Sequence, residues 1–200
     1  AKYQTKDMRG AAKYASRAVK SARNPKDSWL QLQLSAHIEL KQFRRAIEVM
    51  KRLVERHPDK RTNWLQLAGL FGKVGDEERA LAVMHLAKEA GVFEKASDYM
   101  QLAQRLQAEE NHYRAAKMLE AALREGKIER DAKVAKTIGL AWFVAREHER
   151  AQEALSDAAT LAEDGQLYVR LAQLNIERES WAEAAAAGRK ALRKGGLDSP

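Results

Sequence analysis

The run Asn63-Trp64-Leu65-Gln66-Leu67-Ala68-Gly69-Leu70-Phe71, followed beyond Gly75-Asp76 by Glu77-Glu78-Arg79-Ala80-Leu81-Ala82-Val83-Met84-His85-Leu86-Ala87, decides the fold of this 200-residue chain. Trp64, Leu67, Ala68 and Phe71 recur at the three- and four-residue spacing of one helix face, and Ala80, Met84 and Ala87 do the same after the turn. Gly75-Asp76 stands in the turn between the two halves. Upstream, Leu30, Leu34, His37, Phe43, Ala46, Met50, Leu53 and Pro58 keep the same order. Downstream it returns as Tyr99, Leu102, Ala103, Leu106, Ala115, Leu119 and Ala122, then as Ile138, Gly139, Trp142, Ala151, Leu155 and Ala158, and last as Tyr168, Leu171, Ala172, Ala184 and Ala191. Successive registers are offset by 34, 35, 36 and 33 residues. Five copies in one phase are a helix-turn-helix repeat array.

Close packing explains the residue types. Ala68 or Ala103 on a first helix must face Ala80 or Ala115 on the second, because a larger side chain would push the pair apart. Trp64, Phe71 and Trp142 are expected to seal one repeat onto the next. Composition agrees: 45% hydrophobic and 32% charged residues with three prolines describe an almost wholly helical chain. No run approaches the roughly 18 apolar residues of a membrane span. With no cysteine, disulfides, thiolate metal sites and cysteine nucleophiles are excluded.

The pattern resembles the tetratricopeptide repeat. The resemblance implies an all-α, right-handed superhelical solenoid with repeats at 27–60, 61–94, 95–130, 131–163 and 164–200, preceded at 1–26 by a second-helix half. It also implies a partner groove on the first helix of each repeat, lined here by Leu65, Gly69 and Lys73, by Met100, Gln104 and Gln107, by Lys136, Leu140 and Phe143, and by Val169, Gln173 and Ile176. That mixture of apolar side chains and amides suits an extended or helical protein segment. Repeat proteins that hold acidic chaperone tails use a Lys and Asn pair at the fifth and ninth positions. Those positions read Gln31 and Ser35, Leu65 and Gly69, Met100 and Gln104, Lys136 and Leu140, Val169 and Gln173, so a carboxylate clamp is not expected.

Charge is unevenly placed. Residues 1–60 carry 15 Lys and Arg against 6 Asp and Glu, whereas the remaining 140 carry 21 against 22. Arg44, Arg45, Lys51, Arg52 and Arg56 lie on or near one helix, a possible basic surface for an acidic partner. Glu48 and Glu55 at helical spacing offer the alternative of a plain solvated face. Nucleic acid is the weaker competitor: the groove positions do not repeat as a base-reading code, and no exposed aromatics alternate with the basic residues.

No catalytic constellation emerges. His37, His57, His85, His112 and His148 fall in different repeats, and none has a partner at metal-ligand spacing. Gly69, Gly72 and Gly75 beside Lys73 superficially resemble a phosphate loop, but no strand precedes them and no Ser or Thr follows the lysine. The expectation is a non-enzymatic scaffold without cofactor, metal or small-molecule substrate. In the last repeat Asn175 stands where an aromatic is usual and Gly188 where a large residue is usual, predicting thin packing or a notch that a ligand could enter.

A narrower likeness rests on Asn63 to Ala68, Gly75 to Glu78 and Ala80 to Met84, with Asp164-Gly165-Gln166-Leu167-Tyr168-Val169-Arg170-Leu171-Ala172-Gln173-Leu174 and the Lys190 to Leu197 segment. These are similar to bacterial repeat proteins encoded beside the TonB energy-transduction system. The resemblance implies a periplasmic accessory scaffold, while the residues themselves leave a cytoplasmic placement open. Two alternatives stand beside it: a repeat segment of an exopolysaccharide or envelope export machine, and a recruiting module attached to an enzyme domain. Residues 8 to 24 are expected to form one helix closed by Asn24-Pro25. Ala1 reads as a cut or processed end, and Leu197-Asp198-Ser199-Pro200 as a turn into a further repeat.

Overall fold

The computed structural model describes residues 7–197. Ala1 and the segment 198–200, read above as a processed end and the turn into a further repeat, lie outside the described residues. Among those described, the chain is all-α, with eleven helices and no strand. It divides into two compact units, Ala1–Phe93 and Glu94–Pro200.

The first unit holds α1 (Met8–Ser21), α2 (Asp27–Glu39), α3 (Phe43–Arg56), α4 (Arg61–Lys73) and α5 (Glu77–Glu89). The second holds α6 (Ala96–Ala108), α7 (His112–Arg124), α8 (Ala132–Val144), α9 (His148–Leu161), α10 (Gln166–Glu177) and α11 (Trp181–Lys194). Within each unit every helix packs on its neighbours in sequence, which is the order of a helical solenoid. Helix α1 stops at Ser21, three residues short of the expected end, because Ala22 turns to an extended conformation.

The alanine register is the backbone of the packing. Ala46, Ala80, Ala115 and Ala151 have no exposed surface, and Ala184 in the last pair keeps 8%. Their first-helix counterparts Ala68 and Ala103 are buried as well. At the equivalent place in α8 stands Gly139, where an added Cβ would meet the Leu155 backbone nitrogen at 3.0 Å and its Cδ2 at 2.8 Å. Two further positions hold large residues: His37, Phe71, Leu106 and Trp142 on first helices, and Met50, Met84, Leu119 and Leu155 on second helices, all buried. His37 sits in the core as expected, its Nδ1 2.9 Å from Gln42 Oε1. Trp64 behaves differently from the expected seal. It is half-exposed, and its indole N–H donates to the Pro58 carbonyl at 2.7 Å, so it fastens the turn before α4.

The turn between the two helices of each repeat is built the same way five times. Lys41, Gly75, Glu110, Arg146 and Glu179 all have positive φ, between 54° and 75°. After each, a backbone N–H donates back five residues in the pattern that closes a helix through a left-handed residue: Gln42 to His37, Asp76 to Phe71, Asn111 to Leu106, Glu147 to Trp142 and Ser180 to Asn175. Only Gly75 advertises this conformation in the sequence, since the other four are charged residues that adopt it against their steric preference.

In the first unit, Arg56 at the end of α3 ties back to the chain before α2. It donates to the Pro25 carbonyl at 2.7 Å and to Asp27 Oδ1 at 2.6 Å, and it also bonds Asn24. His57 bonds the other Asp27 oxygen. The hydrogen bond from His57, and then that from Arg56, hold the Asp27 carboxyl below its ordinary value of 3.8. A carboxyl depressed in the folded state adds stability above its ordinary range, and that stability disappears as the pH falls through the folded value.

Three outcomes check this account. Ala80→Leu should lower stability by roughly 1–3 kcal/mol through overpacking, measured by urea unfolding. Gly139→Ala should destabilise by steric conflict with Leu155, whereas Gly69→Ala, where a Cβ meets nothing within 4 Å, should stabilise by about 0.5–1 kcal/mol through helix propensity. Asp27→Asn should remove part of the loss of helicity expected when the wild-type chain is acidified below the ordinary Asp range, leaving behaviour near neutrality to reflect only the lost ion pairs, measured by circular dichroism against pH.

Candidate functional site

In the second unit the first helices α8 and α10 present a mixed face. On α8, Lys136 is exposed, Leu140 and Phe143 are half-buried, and Val144 is 52% exposed. On α10, Val169 is half-buried, Gln173 is exposed, and Ile176 is 51% exposed. Arg146, just beyond α8, donates to Glu177 Oε2 at 3.1 Å, which brings the C-terminal ends of α8 and α10 side by side. The apolar residues nearest that link, Phe143, Val144 and Ile176, therefore share one end of the face. Arg170 donates to Gln173 Oε1 at 3.0 Å and orients that amide along the helix.

The remaining expected groove residues divide. Gln104 on α6 is exposed and Gln107 half-buried, leaving both amides able to meet a ligand. Met100 does not belong with them: only 6% of its surface is exposed, because α6 turns it into the core with Tyr99, Leu102 and Ala103. In the first unit Leu65 is half-buried, Gly69 is exposed with open space above it, and Lys73 is exposed. Val144 was missed by the repeat positions. An apolar residue two positions before the left-handed Arg146 was the signal for it.

The basic cluster also divides. Arg56 is consumed by the staple to Asp27 and Asn24, so it belongs to the fold. Lys51 pairs with Glu48 at 3.0 Å and lies 5.9 Å from the Phe71 ring. Arg45 donates to the neutral Gln42 at 3.3 Å. Arg44 and Arg52 are exposed.

A recess of about 70 Å³ among α7, α8 and α9 is lined in part by Glu120, Arg130, Arg150, Glu153 and Asp157. Most of its polar groups are engaged. The Trp142 indole N–H donates to Glu120 at 2.6 Å, Arg150 stacks 4.7 Å over the same indole, and Arg130 pairs with Asp157. Tyr113 meets Trp142 edge-on at 5.1 Å. These contacts fix a buried tryptophan in place and expose no activated nucleophile. Among the described residues, no group of three His, Cys, Asp or Glu side chains could hold a metal ion. No helix among them is long and apolar enough to cross a membrane.

The thin packing expected in the last repeat is visible. Asn175 is 4% exposed, its Oδ1 has no hydrogen-bond partner, and a Cβ on Gly188 would meet nothing within 4 Å. The end of the repeat is closed instead by its two ends: the Gly165 N–H donates to the Gly195 carbonyl at 2.8 Å, and Lys194 caps α9 through the Ala159 carbonyl at 2.7 Å. Gly165 must be glycine there, since a Cβ would lie 2.4 Å from the Ala191 carbonyl oxygen.

No family model matches the chain. It is 32% identical over 81 residues to the pre-mRNA-splicing factor CLF1 of Eremothecium gossypii, a match covering 40% of this chain and 12% of that protein. The chain thus spans only a small part of that curated relative's length. Among solved structures it superposes on YrrB, described as a TPR protein with an unusual peptide-binding site, with a TM-score of 0.64 at 14% identity, covering 92% of this chain and 93% of that one. It also superposes on MamA from Desulfovibrio magneticus RS-1, with a TM-score of 0.61 at 18% identity over 86% of this chain and 97% of that one. The five in-phase helix pairs, their alanine contacts and these superpositions establish the tetratricopeptide-repeat fold.

Proposed function

We propose that this chain is a non-catalytic scaffold that holds a partner protein segment on the face formed by α8 and α10. The observation that carries the reading is the set of apolar side chains left at one end of that face: Val144 and Ile176 are both more than half exposed beside the half-buried Phe143. On the same two helices the exposed Lys136 and Gln173 add polar groups that can bond a peptide backbone, and the exposed Gln104 on α6 adds a further amide in the same unit. An extended segment docked by a few apolar anchors and amide hydrogen bonds is the chemistry such a face accommodates. The peptide-binding site named for YrrB supports the same class of partner for this fold.

The finer proposal follows from the resemblance: a periplasmic accessory protein working beside a TonB-type system in the cell envelope. The alternative of an export machine that recruits a partner enzyme uses the same face and differs in the protein held there.

The test is a pull-down from envelope extracts with the wild-type chain and with the double variant Val144→Glu/Ile176→Glu. Both positions are exposed, so helicity and cooperative melting should stay near wild type. TonB-complex components captured by the wild type and lost from the variant are the expected result. Synthases or polymer-modifying proteins with the same loss would move the function to export, and partners retained equally by the variant would remove the α8–α10 face from the account.

A further inference from the structure

The first unit carries a second recess, away from the first-helix face. It has two connected parts, of about 480 Å³ and about 290 Å³, which share Arg44 and Val74. Its apolar lining is Phe43, Ile47, Phe71 and Val74. Around these stand Lys41, Arg44, Arg45, Lys51 and Arg79, against the two carboxylates of Glu48 and Asp76.

The carboxylates are already occupied. Glu48 pairs with Lys51 at 3.0 Å. Asp76 caps α5 through the Arg79 N–H at 3.1 Å and pairs with its guanidinium at 3.0 Å. Lys41 and Arg44 have no ion-pair partner among the described residues, and Arg45 bonds only the neutral Gln42. Three uncompensated cations therefore border an apolar lining, in the part of the chain that holds the excess of positive charge.

We propose that this recess docks an acidic peptide segment whose carboxylates flank one aromatic or aliphatic side chain. The carboxylates meet Lys41, Arg44 and Arg45, with arginine offering a two-pronged fit to each carboxylate. The apolar side chain covers the half-buried Phe43 and Val74, with the buried Phe71 behind them. A nucleic-acid backbone fits less well, because its unbroken run of phosphates would pass Glu48 and Asp76 and has no use for the apolar lining. The site is independent of the α8–α10 face: one can fail while the other stands.

Fluorescence anisotropy with the whole chain tests it, using a labelled peptide of Glu and Asp around one central Phe at an ionic strength of about 0.15 M. The expected result is saturable binding, lost when Gln and Asn replace the acids and weakened when Ala replaces the Phe. Arg44→Glu and Lys41→Gln should each weaken it, by about tenfold for the charge reversal. Arg114→Glu, an exposed position on α7 with the same change in net charge, should leave it unchanged. Circular dichroism of Arg44→Glu should match wild type, and Lys41→Gln provides the milder check if it does not. Absence of binding, equal loss in Arg44→Glu and Arg114→Glu, or tighter Arg44-dependent binding of an oligouridine strand would each overturn the proposal.

Discussion

Everything in this fold depends on the close approach of two helices at a small residue. Where Ala46, Ala80, Ala115 and Ala151 lose all exposed surface, the second helix of a repeat lies against the first with no room for another methylene. Gly139 shows how tight the contact becomes, since even a methyl group there would strike the backbone of Leu155. Each repeat leaves a face that its neighbour must cover, so stability accumulates from contact to contact along each unit. The large residues follow from the small ones: Phe71, Leu106 and Trp142 have defined cavities to fill only because the alanines set the spacing around them.

The last pair breaks that complementarity. Asn175 replaces the position of Trp142, and Gly188 replaces that of Leu155, so α10 and α11 share less buried apolar surface than the pair before them. Trp181 and Leu192 on α11 are 64% and 74% exposed. The pair is held instead by polar closure, through Gly165 to Gly195 and Lys194 to the end of α9. Hydrogen bonds of this kind fix geometry but contribute less than a filled core. The α8–α10 face thus spans a firmly packed helix and a more weakly packed one.

Much of this was legible in the sequence because packing imposes a period. The alanines, the paired large residues and the helix pairs all follow from spacing alone. The turns were less legible. Lys41, Glu110, Arg146 and Glu179 adopt a left-handed conformation with no glycine to announce it, and only their place 34, 35, 36 and 33 residues apart, with Gly75 among them, connects them. Site residues were harder still, because a repeat position predicts a direction and not an exposure. Met100 occupies a groove position yet is buried, while Val144 occupies none and is exposed. Arg56 looks like surface charge in sequence, but Asp27 lies 29 residues earlier, a pairing that no local pattern encodes.

The scaffold reading and the basic recess place two kinds of surface on separate compact units, one apolar and amide-lined, the other cationic around an apolar lining. Both rest on the same claim: the register of small and large residues decides which side chains are core and which are free for partners. Native-state amide hydrogen exchange reports that register helix by helix. The account predicts slowest exchange in α8 and α9, around Trp142 and Leu155, with markedly faster exchange in α10 and α11. Protection in α11 equal to that in α9 would contradict it.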